Sequence, residues 1–536
     1  MTISIKVDGT DVTREITSHS VSENATPVNV TEMSGGVSQM TLQLKGGKRA
    51  RHMRRKEVEL VDSGQGKTVG RVSSISDQEL AATVTADSRM IAFVSERKLD
   101  PYVGNLSGYF TYLCSVVGIT SGIVIDSSLS AIPVVATGWN GSVWDRIKQL
   151  CSAHRVEASL VSNNVVFRPI RGRVAQTHRD SARTVSVDDS NTAQRIKVHY
   201  LESAERRTDL AFPLGGWTEE TRVFNVKAGE TLEFSIDLKP ASGEDGPGVS
   251  LQSIIQPTCV DFVGRDHVAS SVYCVAGNDG KPITASQWLA TGGNLQVEIG
   301  EDSQTLIIRV TGSSIEQYAP YRIAATAGTS SYYSSLRVRG TGIFYNRATI
   351  DMATGNSADD SPTEIGAEVE NLMLVGYESA WRAAADALCS WTGPTMRLNV
   401  TTRGLNRKGD SGSAAYPTIG DFNNLYPFDT FQTFDSKWPV ESIASLNSFL
   451  FSKVENEFEN QAFGNIAGSR VLEGGFWARI SSATISPATV SYQAEADTTI
   501  GDFNSHYGDM SIAYFNTLVG NWSVGDLGIE PLIPPT

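Results

Sequence analysis

Alternation of apolar and polar residues runs through the first part of the chain, from residue 1 to about residue 95. Ile3, Ile5 and Val7 fall on one side of an extended segment, and the same rhythm returns at residues 40–44. Glycine-containing pairs that favour tight turns separate these segments. Because successive side chains of a strand point to opposite faces, the pattern predicts a compact β domain, a barrel or a sandwich.

A helical period replaces this alternation between residues 96 and 170. One helix is predicted over residues 109–117, with Gly118 as its stop. A second begins at Ser142, a residue type that caps helix N-termini. Its apolar stripe consists of Val143, Trp144, Ile147, Leu150 and Cys151. The strand-like segments VEASLV and NVVFRPI follow, so the sequence predicts a helix packed on a hairpin in a small α/β module.

Regularly spaced strand patterns with glycine turns return between residues 206 and 345, which is typical of a β-sandwich. Their position indicates a domain inserted into a host fold. Residues 346–417 continue with a strand pattern and then the segment ESAWRAAADALCSWTG, a predicted helix. Trp and Tyr offer a large contact area with a polar edge, so aromatic residues of the sandwich are candidates for contact with glycan or protein. The candidates are Trp288, Tyr332 and Tyr333.

Short repeats occupy the last part of the chain, residues 418–536. The segment Thr-Ile-Gly-Asp-Phe-Asn occurs at 418–423 and again at 499–504, and looser copies begin at Ser511 and Ser523. Units of this length cannot hold a core and must lean on another surface. We expect two apolar anchors in each unit to dock on a neighbouring chain. The predicted subunit-docking residues are Ile500, Phe503, Phe515 and Leu527.

Composition limits the class of protein. With 536 residues the chain is too long for one core, so three or four domains are expected. The formal net charge of -14 argues against a protein that coats nucleic acid. One basic run, residues 48–56, is either a solvated loop or a surface that docks on an acidic neighbour. We expect no signal peptide and no membrane span, since no apolar run reaches about 20 residues.

Motifs that suggest catalysis fail on their context. Residues 64–68 imitate the end of a phosphate loop but precede a strand-like segment, and residues 409–413 read as a Gly/Ser junction rather than a serine nucleophile turn. The seven histidines and five cysteines show no metal-ligand spacing. We therefore predict no enzyme, and no catalytic, cofactor-binding or metal-binding residues. Cysteines are expected to be buried apolar residues of a reduced protein.

The C-terminal segment AEADTTIGDFNSHYGDMSIAYFNTLVGNWSVGDLGIEPL resembles the end of minor tail proteins of long-tailed phages that infect actinobacteria. YAPYRIAATAGTSSYYSSLRVRGTGIFY resembles the β domain inserted into many of them. The N-terminal part, up to GSVWDRIKQLCSAHRVEASLVSNNVVFRPI, is similar to the tail hub, or baseplate hub. Together these stretches cover most of the chain, and the C-terminal ones are the specific ones.

The resemblance implies a mainly β, multi-domain tail-hub fold with small α/β parts. It implies two β tube domains, residues 1–95 with 171–205 and residues 346–417, decorated by the α/β module and the sandwich, with residues 418–536 as a docking region. Three copies would form a pseudo-sixfold ring at the tail tip of the virion, assembled in the host cytoplasm. Expected partners are the distal tail protein, the tape measure protein, other minor tail or receptor-binding proteins, and passing DNA.

Two other functions stay open. A hexameric distal tail protein with a carbohydrate-binding insert would lack the α/β module of residues 96–170. A virion-associated glycan hydrolase of the cell wall would need two carboxylates that face one cleft.

Overall fold

A computed structural model describes residues 3–496 except 26–36, 46–50, 63–65, 79–80, 162, 170–173, 178–181, 189–194, 213–228, 242, 256–260, 264–268, 271–272, 277–280, 285–289, 313, 315–317, 321–334, 354–365, 382, 385–394, 403–404, 408–465, 469, 474–475 and 487–489. The chain is mainly β with small α/β parts, as predicted. No helix among the described residues has the length and apolar character needed to cross a membrane.

The N-terminal strands include those that the alternation predicts. They are β1 (Ile3–Val7), β2 (Thr10–Asp11), β3 (Ile16–Asn24), β4 (Gln39–Lys45), β5 (Glu57–Asp62), β6 (Gly66–Gln78) and β7 (Ala81–Ser88). Alternate side chains such as Leu42, Val58, Leu60 and Val84 are fully buried in one core. Residues 66–68, the described part of the segment that imitates a phosphate loop, belong to β6, which is a strand as predicted.

The α/β module matches its predicted elements. It contains β8 (Glu96–Leu99), β9 (Tyr102–Asn105), α1 (Leu106–Val116), β10 (Ile123–Ile125), β11 (Pro133–Ala136), β12 (Trp139–Ser142), α2 (Val143–His154), β13 (Val156–Val161) and β14 (Asn164–Pro169). The predicted apolar stripe of α2 is buried, and β13 and β14 form the predicted hairpin. Ser142 is the N-cap residue of α2, but its side chain makes no capping hydrogen bond. Helix α1 begins earlier than predicted, because Asn105 caps it by accepting from the Gly108 amide.

The remaining strands follow in chain order. They are β15 (Val174–Thr177), β16 (Ala182–Asp188), β17 (Arg195–Phe212), β18 (Thr231–Asp237), β19 (Gly246–Ile255), β20 (Asp261–Val263), β21 (Ala269–Ser270), β22 (Tyr273–Ala276), β23 (Lys281–Thr284), β24 (Asn294–Ile299), β25 (Thr305–Thr311), β26 (Tyr318–Pro320), β27 (Ser335–Ala353), β28 (Gly366–Val375), β29 (Thr395–Thr402), β30 (Leu405–Arg407), β31 (Arg470–Glu473), β32 (Phe476–Ile485) and β33 (Val490–Ala496). Part of the helix predicted near residue 380 is present at residues 377–381 and 383–384, where Ala380, Trp381 and Ala384 are buried.

One large sheet connects the two ends of the described chain. Its order is β16-β29-β33-β32-β3-β4-β7-β6-β5-β1-β2, and β15, β30 and β31 pair to the side of this path. The connection is made where β3 pairs antiparallel with β32, from Val21 opposite Ile485 to Asn24 opposite Ser482. Ile480 and Ala494 of the late strands are therefore buried in the same core as the N-terminal strands.

A long antiparallel ribbon, formed by β17 and β27, leads into residues 229–320. β17 and β27 pair antiparallel from Arg195 opposite Ala353 to Phe212 opposite Val338. Both strands run without a break through residues 205 and 345, the positions at which the sequence suggests that the insert begins and ends. The division of the chain into domains stays a prediction.

Candidate assembly surfaces

The residues predicted from the sequence as contact sites fall in parts of the chain that the structure leaves undescribed. Their docking and contact roles stay predictions. The subunit-docking residues outside the described residues are Ile500, Phe503, Phe515 and Leu527, and the glycan or protein contact residues outside them are Trp288, Tyr332 and Tyr333. The surfaces built by the described residues are a module–insert junction, a polar network at the ribbon, and a groove that carries part of the basic run.

The module–insert junction lies where strands β8 and β12 meet the loop between β24 and β25. The Gly138 amide donates to Ser250 Oγ at 2.7 Å, and this hydrogen bond is buried. Lys98 Nζ donates to the Gly300 carbonyl at 3.2 Å, and Asn140 Nδ2 donates to Glu301 Oε2 at 2.8 Å. The insert is thus fastened to the α/β module by contacts separate from the ribbon.

Gly138 marks the closest approach of the two parts. A Cβ atom at this position would lie 2.3 Å from Ser303 Cβ and 2.8 Å from the Asp302 carbonyl oxygen. Ser303 itself has a left-handed backbone with a φ of 59°, which glycine adopts more readily than serine. Its buried hydroxyl has no hydrogen-bond partner among the described residues. The junction therefore requires a residue without a side chain at position 138.

An acidic cleft opens beside the junction. It has a volume of about 450 Å³ and includes Asn140, Glu233, Glu301 and Asp302 in its lining. Burial raises the pKa of Asp302, but hydrogen bonds from Lys239 Nζ and the Gln304 amide outweigh it, so the pKa lies below its usual value. Glu233 is bound by Arg309. Asp302 therefore stays ionised at neutral pH and cannot serve as the protonated acid that glycoside hydrolysis needs.

A buried histidine joins three strands and one loop near the base of the ribbon. His199 on β17 lies 2.7 Å from Thr349 Oγ1 through Nδ1 and 2.6 Å from Glu368 Oε1 through Nε2. The single hydroxyl hydrogen of Thr349 is donated to Asp245 Oδ1 at 2.6 Å. Thr349 Oγ1 therefore faces His199 Nδ1 as an acceptor, and the Glu368 carboxylate faces Nε2. The hydrogen bond with His199 lowers the pKa of Glu368.

This network resembles a hydrolase triad only in its residue types. A nucleophilic hydroxyl has to donate its hydrogen to the histidine, whereas Thr349 donates to Asp245 instead. The histidine is also almost completely buried, with 3% of its surface exposed. The arrangement holds strands β17, β27 and β28 and the loop before β19 together, and it offers no group for covalent catalysis.

The two described cysteines are buried and offer no exposed thiol for nucleophilic chemistry. Cys114 and Cys151 are free and lie in the core of the α/β module, as the sequence predicts. Burial raises the pKa of the Cys114 thiol to about 12, so it remains protonated and unreactive at neutral pH.

Part of the basic run lies on a described surface. Arg51–Met53 is a turn of 3-10 helix, and Arg54, Arg55 and Lys56 follow it with exposed side chains. Lys56 forms an ion pair with Asp8 at 3.5 Å. Lys48 and Arg49 lie outside the described residues.

Sequence reasoning did not find the junction or the histidine network. Gly138 lies a few residues before α2, and no local pattern indicates Ser250 as its partner 112 residues away. His199 lies between Val198 and Tyr200, and no local motif marks it. Its partners come from three other segments, so only the strand pairing of β17 with β27 and β28 could have indicated the network.

Comparison with known proteins gives no family. No family model matches the chain, and no curated protein matches it. Solved structures that are similar at a low level include three tail proteins. The tail protein from Neisseria meningitidis MC58 has a TM-score of 0.41 and 8% identity, over 93% of this chain and 98% of that chain. The 43 kDa tail protein of prophage MuSo2 from Shewanella oneidensis has the same TM-score of 0.41 and 8% identity, over 93% and 98%.

The third is prophage tail protein gp18 from Listeria monocytogenes EGD-e. It has a TM-score of 0.37 and 7% identity, over 93% of this chain and 95% of that chain. TM-scores below 0.5 do not support an inference about function, and we base none on these similarities.

Proposed function

We propose that the chain is a structural subunit of a phage tail tip, a hub that assembles as a homotrimeric ring. The ring would continue or close the tail lumen, connect the distal tail ring to host-binding proteins and take part in DNA ejection. The proposal rests first on the sequence resemblance of the C-terminal repeats and of the inserted β segment. The proposed role is structural and not enzymatic.

The structural observation that carries the proposal is the large sheet. It joins strands from residues 3–88 to strands from residues 174–188 and 395–496 in one continuous wall. In the described part of the chain, this wall ends at β16 on one side and at β2 on the other. Sheet edges favour pairing with another chain, and a head-to-tail contact repeated by rotation closes into a ring. If each chain contributes two β tube domains to this wall, three chains present six such domains to a neighbouring ring of sixfold symmetry.

The charge and the module support a hub over the alternatives. A net charge of -14 suits a lumen past which DNA slides, because a strongly positive wall would retain phosphates. The α/β module at residues 96–170 is present, and a distal tail protein was expected to lack it. The partners proposed are the distal tail protein, the tape measure protein and other minor tail or receptor-binding proteins.

Deletion of residues 499–536 tests the proposed docking role. We expect phage particles with this deletion to lack complete tail tips in negative-stain electron micrographs, because the anchors Ile500, Phe503, Phe515 and Leu527 would be lost. A matched control replaces the polar repeat residues Asn504 and Asn516 by alanine and should leave tips intact. Normal tail tips in the deletion would refute the docking role.

A further inference from the structure

An arginine groove lies on the large sheet, beside strands β6 and β7. Arg54 and Arg55 come from the loop after the 3-10 helix, and Arg71 comes from β6. The groove has a volume of about 530 Å³ and is also lined by Asp87 and Ile91. All three arginines are exposed, and Ile91 exposes 38% of its surface.

The backbone around the groove is held in an uncommon shape. Arg55 has a left-handed φ of 64°, a conformation that is unfavourable for a non-glycine residue. Its carbonyl accepts a hydrogen bond from Arg71 Nε at 3.0 Å, which fixes the loop to β6. The pairing of β6 with β7 shifts register between Val72 and Ser74, directly beside Arg71. Irregularities of this kind re-aim side chains at functional surfaces.

The three guanidinium groups have no acidic partner among the described residues. The one carboxylate of the groove, Asp87, accepts a hydrogen bond from Gln39 Nε2 at 2.9 Å. Nearby Lys56 is paired with Asp8. Guanidinium forks bind carboxylates in bidentate fashion, and their faces stack on aromatic rings. The groove therefore fits an acidic peptide that carries an apolar or aromatic residue next to each carboxylate.

The end of this chain has that composition. Residues 497–536 contain five acidic residues and neither lysine nor arginine. Asp502 is followed by Phe503, and Asp526 is followed by Leu527, so predicted anchors stand directly beside carboxylates. We propose that the acidic C-terminal segment 497–536 docks in the arginine groove, with its carboxylates on the guanidinium groups and its anchors against Ile91.

The chain is long enough to make this contact. Strand pairing places Arg71, Asp87, Gln39, Ser22, Thr484 and Ser491 in one cross-strand row. Five strand spacings separate Arg71 from Ser491, about 24 Å, and β33 ends five residues further, about 17 Å along the strand. The thirteen residues from Ala496 to Asp509 span up to about 45 Å when extended. The contact can form in the free chain, and exchange of the segment between neighbours would make the same contact in a ring.

Hydrogen exchange of the full-length chain, read by mass spectrometry, tests the proposal. In the wild-type chain we expect amides of residues 499–527 to be protected. The triple variant Arg54→Glu, Arg55→Glu and Arg71→Glu should speed their exchange at least about tenfold. Reversal of two exposed cations elsewhere, Arg97→Glu and Arg206→Glu, should not. Exchange in β5 and β6 checks that the sheet remains folded.

Charge exchange identifies the contact itself. Adding Asp502→Lys, Asp509→Lys and Asp526→Lys to the groove variant should restore protection of the segment. Wild-type protection should also fall at about 1 M salt, where the screening length is about 3 Å. An unprotected wild-type segment, unchanged exchange in the groove variant, or protection that persists at high salt would overturn the proposal.

The groove contact rests on the docking role proposed for the repeats, but it does not depend on the chain being part of a tail. The exchange assay is performed on free chains, whereas ring symmetry is measured on particles. A threefold ring with an unprotected segment would refute the groove contact and leave the proposed function standing. A protected segment in a chain that forms no tail ring would support the groove contact and refute the proposed function.

Discussion

Replacement of Gly138 by alanine tests how tightly the inserted strands are fastened to the α/β module. The new Cβ would lie 2.3 Å from Ser303 Cβ and 2.8 Å from the Asp302 carbonyl oxygen, so the two segments must separate. Forcing an extra methyl group into a packed contact costs about 1–3 kcal/mol. Weakening the buried bond from the Gly138 amide to Ser250 Oγ adds about 0.5–1.5 kcal/mol. The expected total is about 2–4 kcal/mol.

Local hydrogen exchange is the suitable assay, because a chain of 536 residues is not expected to unfold in one step. At about 1.4 kcal/mol for each factor of ten, exchange near Gly138 and Ser250 should accelerate roughly 30-fold to 1000-fold. Ser303→Gly alone should have little effect, since the serine hydroxyl lacks a partner among the described residues and its φ of 59° suits glycine. Combined with Gly138→Ala, it should recover part of the loss. Unchanged exchange in Gly138→Ala would show that this close approach does not hold the junction.

Two further predictions concern the core and the histidine network. Phe167→Ala should destabilise the α/β module by about 3–5 kcal/mol, measured by hydrogen exchange of its core amides, because the ring is fully buried and stacks on Phe110 with centroids 4.1 Å apart; Val124→Ala, at an exposed position, is the control. The pKa of Glu368 is lowered by its hydrogen bond to His199, so the stability that it contributes is present above the ordinary value of 4.5 and is lost as pH falls through the lowered pKa. Acid-induced acceleration of exchange in β17 should therefore be smaller in Glu368→Gln, and an identical pH profile in both proteins would contradict this.

Local patterns were sufficient for most elements. The stripe from Val143 to Cys151 predicts α2, and the period of two predicts β4 and its buried residues Met40, Leu42 and Leu44. These signals depend on neighbours within a few residues. They arise because one face of each element is buried and must be apolar.

Long-range pairing could not be predicted in the same way. Val21 lies opposite Ile485, and Gly138 bonds to Ser250, yet neither pair leaves a local signal. Periodicity alone allows any alternating segment to pair with any other. The order of strands in a sheet therefore requires tertiary information. The ribbon of β17 and β27 shows the same limit, because the change in sequence character at residues 205 and 345 is not matched by a break in either strand. The junction, the histidine network and the arginine groove all depend on such pairings.

The symmetry of the tail-tip ring formed by this chain tests the central proposal most directly. Electron cryomicroscopy of particles, reconstructed without imposed symmetry, should show three copies of the chain around the tail axis, with the large sheet in the wall of the lumen. Six copies would contradict the hub and support a distal tail protein, and a position away from the tail axis would contradict both.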